Sequence, residues 1–171
     1  MNFSSFRRYL PVLILVLLAF AWYQYRKPSV TAGDMAPDFE ASAPDGRTAR
    51  LSDLRGQYVL LQFWGSWCGP CRKENPELVA LYNNYKAQSF TIFSVGIEQN
   101  LQAWERAIEV DGLAWPNHYA TSDRFDHPAA QLYNVKSIPS TFLINPEGRI
   151  MGVNLSPAQM ERMLGQVITE N

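Results

Sequence analysis

Cysteine is scarce in this sequence: its 171 residues include two, Cys68 and Cys71. A small secreted scaffold held by disulfides carries more. The pair is also too close in sequence to act as a staple. Closing so short a loop removes roughly 2 kcal/mol of unfolded-state entropy, against about 3 for a fifteen-residue loop. Reactivity explains the pair better than reinforcement. Histidine is equally sparse. His118 and His127 lie nine residues apart and fit no H-x₃₋₅-H spacing. Two thiols supply half of the four ligands a structural zinc wants, so no metal centre is expected. A basic excess is also missing. Lys and Arg number 15 against 16 Asp and Glu, for a net charge of −1. Nothing here holds a phosphate backbone, and no nucleic-acid partner is expected. Internal repeats and low-complexity tracts are absent. With 47% hydrophobic and 18% charged residues the chain is not disordered. Its length suits one domain with a real core.

A long hydrophobic run is missing too. The best candidate, Tyr9 to Tyr23, has 15 residues, short of the roughly 20 that span a bilayer. Pro11 lies where a first helical turn tolerates it. Arg7 and Arg8 precede the run, Arg26 and Lys27 follow it, and Trp22, Tyr23 and Tyr25 supply an interfacial belt. Residues 1–27 therefore read as an uncleaved signal anchor. The alternative is a signal peptide cut after Ala19-Phe20-Ala21, which the bulky aromatics beyond it disfavour. Both readings send the rest of the chain across a membrane. The expected location is a bacterial inner membrane, single-pass, with the working domain on the periplasmic side. In the alternative the protein is soluble in the periplasm. Residues 28–33 read as a linker and 34–171 as the domain.

Within the domain, strand and helix patterns alternate. Thr48 to Leu51 reads as a short strand after the Pro44-Asp45-Gly46 turn. Tyr58 to Trp64 and Phe90 to Ile97 are nearly continuous apolar runs of buried-strand length. Pro70 to Lys86 reads as a helix kinked at Pro76. Leu101 to Val110 is helical, Leu113 to Tyr119 extended, and Pro128 to Tyr133 helical. Thr141 to Asn145 and Arg149 to Val153 flank a Pro146-Glu147-Gly148 turn. Ser156, Pro157 and Gln159 open the last helix as a capping box, above a stripe of Met160, Met163, Leu164, Val167 and Ile168. This order implies an α/β domain with a mixed sheet covered by helices.

The run Trp67-Cys68-Gly69-Pro70-Cys71 joins the first buried strand to a helix. A thiolate at a helix N-terminus faces unpaired N–H groups and the positive end of the dipole, so Cys68 is the expected attacking thiol. Cys71, one turn in, resolves the mixed disulfide. Gly69 allows a partner chain to approach the sulfur, and Pro70 loses nothing by lacking an N–H there. No cofactor is expected beyond the redox-active Cys68–Cys71 disulfide itself.

Several stretches resemble the TlpA/ResA-type thioredoxin-like proteins, tethered thiol–disulfide oxidoreductases of bacterial envelopes. They are Gly33-Asp34-Met35-Ala36-Pro37-Asp38-Phe39, Gly46 with Leu51-Ser52-Asp53-Leu54-Arg55-Gly56, Phe63 to Glu74 around the cysteines, and Ile138-Pro139-Ser140-Thr141-Phe142-Leu143-Ile144. The resemblance implies a thioredoxin-like fold with an N-terminal hairpin and a central insert. It implies a cis Pro139 beside the cysteines, with Ile138, Trp67, Gly69 and Pro70 contacting substrate. It also implies that Glu98, after the second buried strand, takes the proton from Cys71. Thioredoxin itself has a buried acid at the position of Gln62, which cannot exchange a proton. In the insert, Asn100 to Tyr119, the residues Trp104, Trp115, Pro116 and Tyr119 read first as core, with an apolar rim for partners as the alternative. His118 and His127 read as surface or capping residues.

The resemblance implies protein disulfide substrates in the envelope and a membrane-embedded thiol electron donor. Apocytochrome c during cytochrome c maturation, a copper-site protein and a general disulfide pool are all candidate clients. The Gly-Pro pair between the cysteines is that of thioredoxin, a reductant at about −270 mV. Two other functions compete. A peroxiredoxin-like peroxidase shares the Ala-Pro-Asp-Phe opening but needs a Thr three residues before its Cys, where Gly65 stands. A copper-delivery protein would use both cysteines and His127, although such proteins space the cysteines more widely.

Overall fold

Tyr58–Trp64 (β3) and Phe90–Ile97 (β4) lie at the centre of a five-stranded sheet, as their unbroken apolar runs require. The computed structural model describes residues 3–26 and 29–169. Helix α1 spans Phe3–Arg26. Strands β1 (Glu40–Ser42) and β2 (Thr48–Arg50) form the N-terminal hairpin. β3 leads into α2 (Gly69–Tyr85), and β4 into α3 (Leu101–Asp111) and β5 (Asn117–Thr121). The short α4 (Pro128–Leu132), β6 (Ser140–Ile144), β7 (Ile150–Val153) and α5 (Pro157–Thr169) complete the domain. α2 runs through Pro76 without ending. The reciprocal cap of α5 is present: Ser156 N–H donates to Gln159 Oε1 at 2.8 Å, and Gln159 N–H donates to Ser156 Oγ at 3.4 Å.

The sheet order is β5-β4-β3-β6-β7. β3, β4 and β5 are parallel, while β6 and β7 run antiparallel to their neighbours, so the sheet is mixed. Alternation along each strand sorts side chains to two faces. Val59, Leu61, Phe63, Phe93 and Val95 meet the hairpin and Tyr133 beyond α4. Leu60, Trp64 and Ile92 meet Leu78, Leu81, Trp104, Met160 and Leu164 from α2, α3 and α5.

Of the two readings of the insert aromatics, core holds: Trp104, Trp115 and Tyr119 are all buried and form no rim. Trp115 Nε1–H donates to Ser94 Oγ at 2.9 Å, and Tyr119 stacks on Phe93 with ring centroids 4.7 Å apart. Trp104 and Trp115 fill the core between the sheet and its helices, and Tyr119 fills the core on the hairpin side. Only Pro116 of that set remains exposed. The histidines are not surface residues either. His118 stacks on Trp115 and is held by burial at a pKa of about 4. His127 is buried but does cap α4, its Nδ1 accepting the Ala129 N–H at 3.1 Å. The expected span of α1 meets a plain limit: no helix among the described residues is long and apolar enough to cross a membrane.

Candidate functional site

Register explains why distant segments meet. β3 pairs with β6 so that Phe63 faces Ser140, and with β4 so that Trp64 faces Gly96. The loop leaving β3 therefore runs between the residues before β6 and those after β4. Cys68 lies on that loop, Pro139 just before β6 and Glu98 just after β4. The three were legible separately in the sequence, and the sheet brings their segments together.

Cys68 is the N-cap of α2, with φ −86° and ψ 99°. Its Sγ accepts the Cys71 N–H at 3.2 Å, as a serine or aspartate oxygen would at a helix start. The two sulfurs are bonded at 2.08 Å, so the protein is in its oxidised form. Cys68 is 4% exposed and Cys71 fully buried. A side chain at Gly69 would have open space around it, which leaves the approach to the pair free on that side. Pro70 lies within the first turn of α2. Trp67 is 51% exposed and folds back to donate its Nε1–H to Ile97 O at 2.8 Å. Gly65 makes that fold possible, because a Cβ there would lie 2.8 Å from the indole nitrogen. The Arg124 guanidinium lies over the Trp67 ring, 5.3 Å from its centroid.

The Ile138–Pro139 peptide is cis. Ile138 packs against the cluster containing both cysteines. Pro139, Thr141, Asn154, Leu155 and Glu74 line a small cleft of about 70 Å³. Glu74, one turn beyond Cys71, is in the sequence the carboxyl next in line after Glu98. Burial, reinforced by Glu77, pushes its carboxyl pKa up. A Glu three residues after the second cysteine was the available signal. Glu98 is buried to 1% exposure, and its Oε1 accepts the Ser66 N–H. Its carboxylate thus holds the loop that carries Cys68.

An unanticipated feature is a polar chain through the core. Trp115 N–H donates to Ser94 Oγ, and Ser94 O–H to Gln62 Oε1, each at 2.9 Å. Gln62 N–H donates to Asn75 Oδ1 at 3.4 Å, and Asn75 N–H to Asp111 Oδ2 at 2.6 Å. Asp111 also receives both nitrogens of an Arg72 fork, Nη2 at 2.6 Å, while Arg72 Nη1 reaches Ser66 O at 3.5 Å. That pairing raises the Arg72 pKa. All donors of the chain point toward the anion, an arrangement in which each bond polarises the next. Gln62 therefore serves as a neutral link in a network that ends beside the reactive loop.

Known proteins agree with this geometry. A family model described as the AhpC/TSA family matches residues 32–153. The chain is 35% identical over 164 residues to the thiol-disulfide oxidoreductase ResA of Geobacillus kaustophilus, covering 91% of this chain and 92% of that protein. It is 33% identical over 147 residues to the thiol-disulfide oxidoreductase ResA of Bacillus subtilis, covering 83% and 80%. Among solved structures, the thioredoxin domain of a thiol-disulfide oxidoreductase from Bacteroides vulgatus aligns with a TM-score of 0.74 at 30% identity, over 82% of this chain and 99% of that one.

Proposed function

Since the chain belongs to the AhpC/TSA family and to the ResA-type thiol–disulfide oxidoreductases, we propose that it reduces disulfides of envelope proteins from a membrane-held position. The observation that carries this reading is a helix-capping Cys68 sulfur bonded to Cys71, with an open Gly69 after it and Ile138 of the cis Ile138–Pro139 peptide packed on the same cluster. In the reduced form the Cys68 thiolate, favoured by the helix N-terminus, attacks one sulfur of a client disulfide. A mixed disulfide forms, and one client thiolate leaves and takes a proton from solvent. Cys71 gives up its proton and attacks the Cys68 sulfur. The second client thiol is released and the Cys68–Cys71 disulfide returns, two electrons having passed to the client. A dithiol donor, membrane-embedded in this reading, restores the reduced pair.

The backbone flanking Pro139, with Ile138 and Trp67 to either side, would receive the client strand. Glu98 is the proposed proton acceptor for Cys71, and Glu74 a second carboxyl at the client-facing cleft. Trapping tests the cycle. Cys71→Ser in the native envelope should accumulate a mixed disulfide that dithiothreitol cleaves, and the attached client tells apocytochrome c from a copper-site protein or a general pool. Adducts on Cys68→Ser instead, with none on Cys71→Ser, would reverse the assigned roles.

The membrane position rests on α1. Its described apolar side chains from Tyr9 to Tyr25 are exposed, Tyr9 and Leu15 to 66%, a surface that water does not favour. In this reading α1 is an anchor or a signal peptide, and the domain works in the periplasm. Protease added to right-side-out spheroplasts should digest residues 34–171. Full protection would place the domain inside.

A further inference from the structure

We propose that the groove along α3 seats an acidic segment of the client polypeptide flanking the cysteine under attack. The proposal rests on the disulfide-reducing activity argued above and names the partner chemistry of that site. Two adjoining cavities, of about 340 and 390 Å³, share Asn100 and Ala103 and so form one trough over the start of α3. Trp67, next to Cys68, lines the near end, and Val110 lines the far end at 71% exposure. The other large apolar side chains exposed in the described part of the globular domain are Met35 and Leu132. Two of four such side chains thus bracket one groove that begins at the reactive pair.

Charge selects the occupant. Arg72, Arg106 and Arg124 line the trough. Arg72 is already paired with Asp111. Arg106 and Arg124 have no carboxylate within ion-pair distance among the described residues. Glu98 is the acid in the lining, and it is buried and turned onto the Ser66 N–H. Glu105 and Glu109 of α3 line neither cavity. Two unopposed guanidiniums therefore face this groove in a chain whose net charge is −1. Such a focused positive field steers carboxylates, and the planar guanidinium fork matches carboxylate geometry. A peptide with acidic residues around an apolar one meets the cations and both apolar ends. The face also favours an oxidised client over a donor in the membrane. Ser29, beyond α1, is hydrogen-bonded to Leu132 and Tyr133 on the opposite face of the sheet from α3. The segment from α1 therefore joins the domain away from the groove.

The test uses the full chain, prereduced, in non-ionic detergent. Three disulfide-bonded peptides differ only in flanking residues: Asp/Glu, Asn/Gln or Lys. Hydroxyethyl disulfide, small and neutral, reads the basal chemistry. At low salt the acidic peptide should be reduced about 5- to 10-fold faster than the neutral one, and the preference should fall below about 2-fold in 0.5 M salt. Arg106→Glu should abolish or invert the preference while hydroxyethyl disulfide is reduced at the wild-type rate, and Arg106→Lys should retain most of it. Equal rates for acidic and neutral peptides, or a preference that survives Arg106→Glu, would overturn the acidic-groove proposal and leave the reductase reading standing. No reduction of any disulfide, the small one included, would overturn both.

Discussion

Replacing Asp111 with Ala should destabilise the oxidised protein by about 2–4 kcal/mol, and the structure shows where that cost arises. The Asp111 carboxylate accepts from both sides of the Arg72 fork and from Asn75. The Asp111 side chain is 11% exposed and that of Arg72 is 32% exposed. Removing one member of a fully buried pair costs about 3–5 kcal/mol, but Arg72 can recover part of its hydration at the surface, which lowers its share. Asn75 cannot, since it has no exposed surface. Its orphaned N–H adds about 1–3 kcal/mol. For a chain of this length each kcal/mol moves the midpoint by roughly 2–4 °C, so Asp111→Ala should melt about 4–16 °C lower. Asp111→Asn keeps an acceptor for Asn75 and loses the charge, so it should fall between. Calorimetry or circular dichroism on the oxidised form reads both. A midpoint within about 1 °C of wild type for Asp111→Ala would refute the reasoning, and equal losses for both variants would assign the effect to charge alone.

Glu98→Gln keeps an oxygen for the Ser66 N–H and removes the proposed proton acceptor, so the fold should persist while turnover falls by about 10- to 100-fold. Wild-type turnover in that variant would make Glu98 a holder of the loop and nothing more. Glu74 has a raised folded pKa, so its ionisation opposes folding. Below the unfolded carboxyl range the group is neutral in both states and costs nothing. The penalty grows as pH rises through that range and is complete above the folded pKa. Glu74→Gln should therefore gain stability relative to wild type on going from pH 4 to pH 7 in urea titrations. A constant difference across that window would show that folding does not raise the Glu74 pKa.

The parts of the fold written in local patterns were legible. Tyr58–Trp64 and Phe90–Ile97 announce themselves because a strand buried on both faces leaves no polar interruption except residues that find partners. Gln62 is such a residue, and the sequence marks it only as an amide in an apolar run. Its partner Asn75 lies 13 residues away, and Asn75 in turn binds Asp111 36 residues on. No periodicity encodes those pairings. The reactive pair was legible because Trp67-Cys68-Gly69-Pro70-Cys71 combines a helix start with two thiols. Trp104 and Trp115 left two readings open because an aromatic on an amphipathic helix or in a connecting segment looks the same whether it faces a partner or the core. The deciding neighbours, Trp64 for one and Ser94 for the other, come from strands far back in the chain.

In the proposed cycle the atom that attacks the client is also the atom that starts a helix. The Cys68 sulfur accepts the Cys71 N–H and fills the N-cap of α2. Each change in the bonding of that sulfur, to Cys71, to a client or to nothing, thus alters the acceptor that holds the first turn in place. An inert control at this position must respect both duties. Serine leaves an oxygen to hold the turn, whereas alanine deletes the nucleophile and the cap together, a loss of about 0.5–2 kcal/mol unrelated to catalysis.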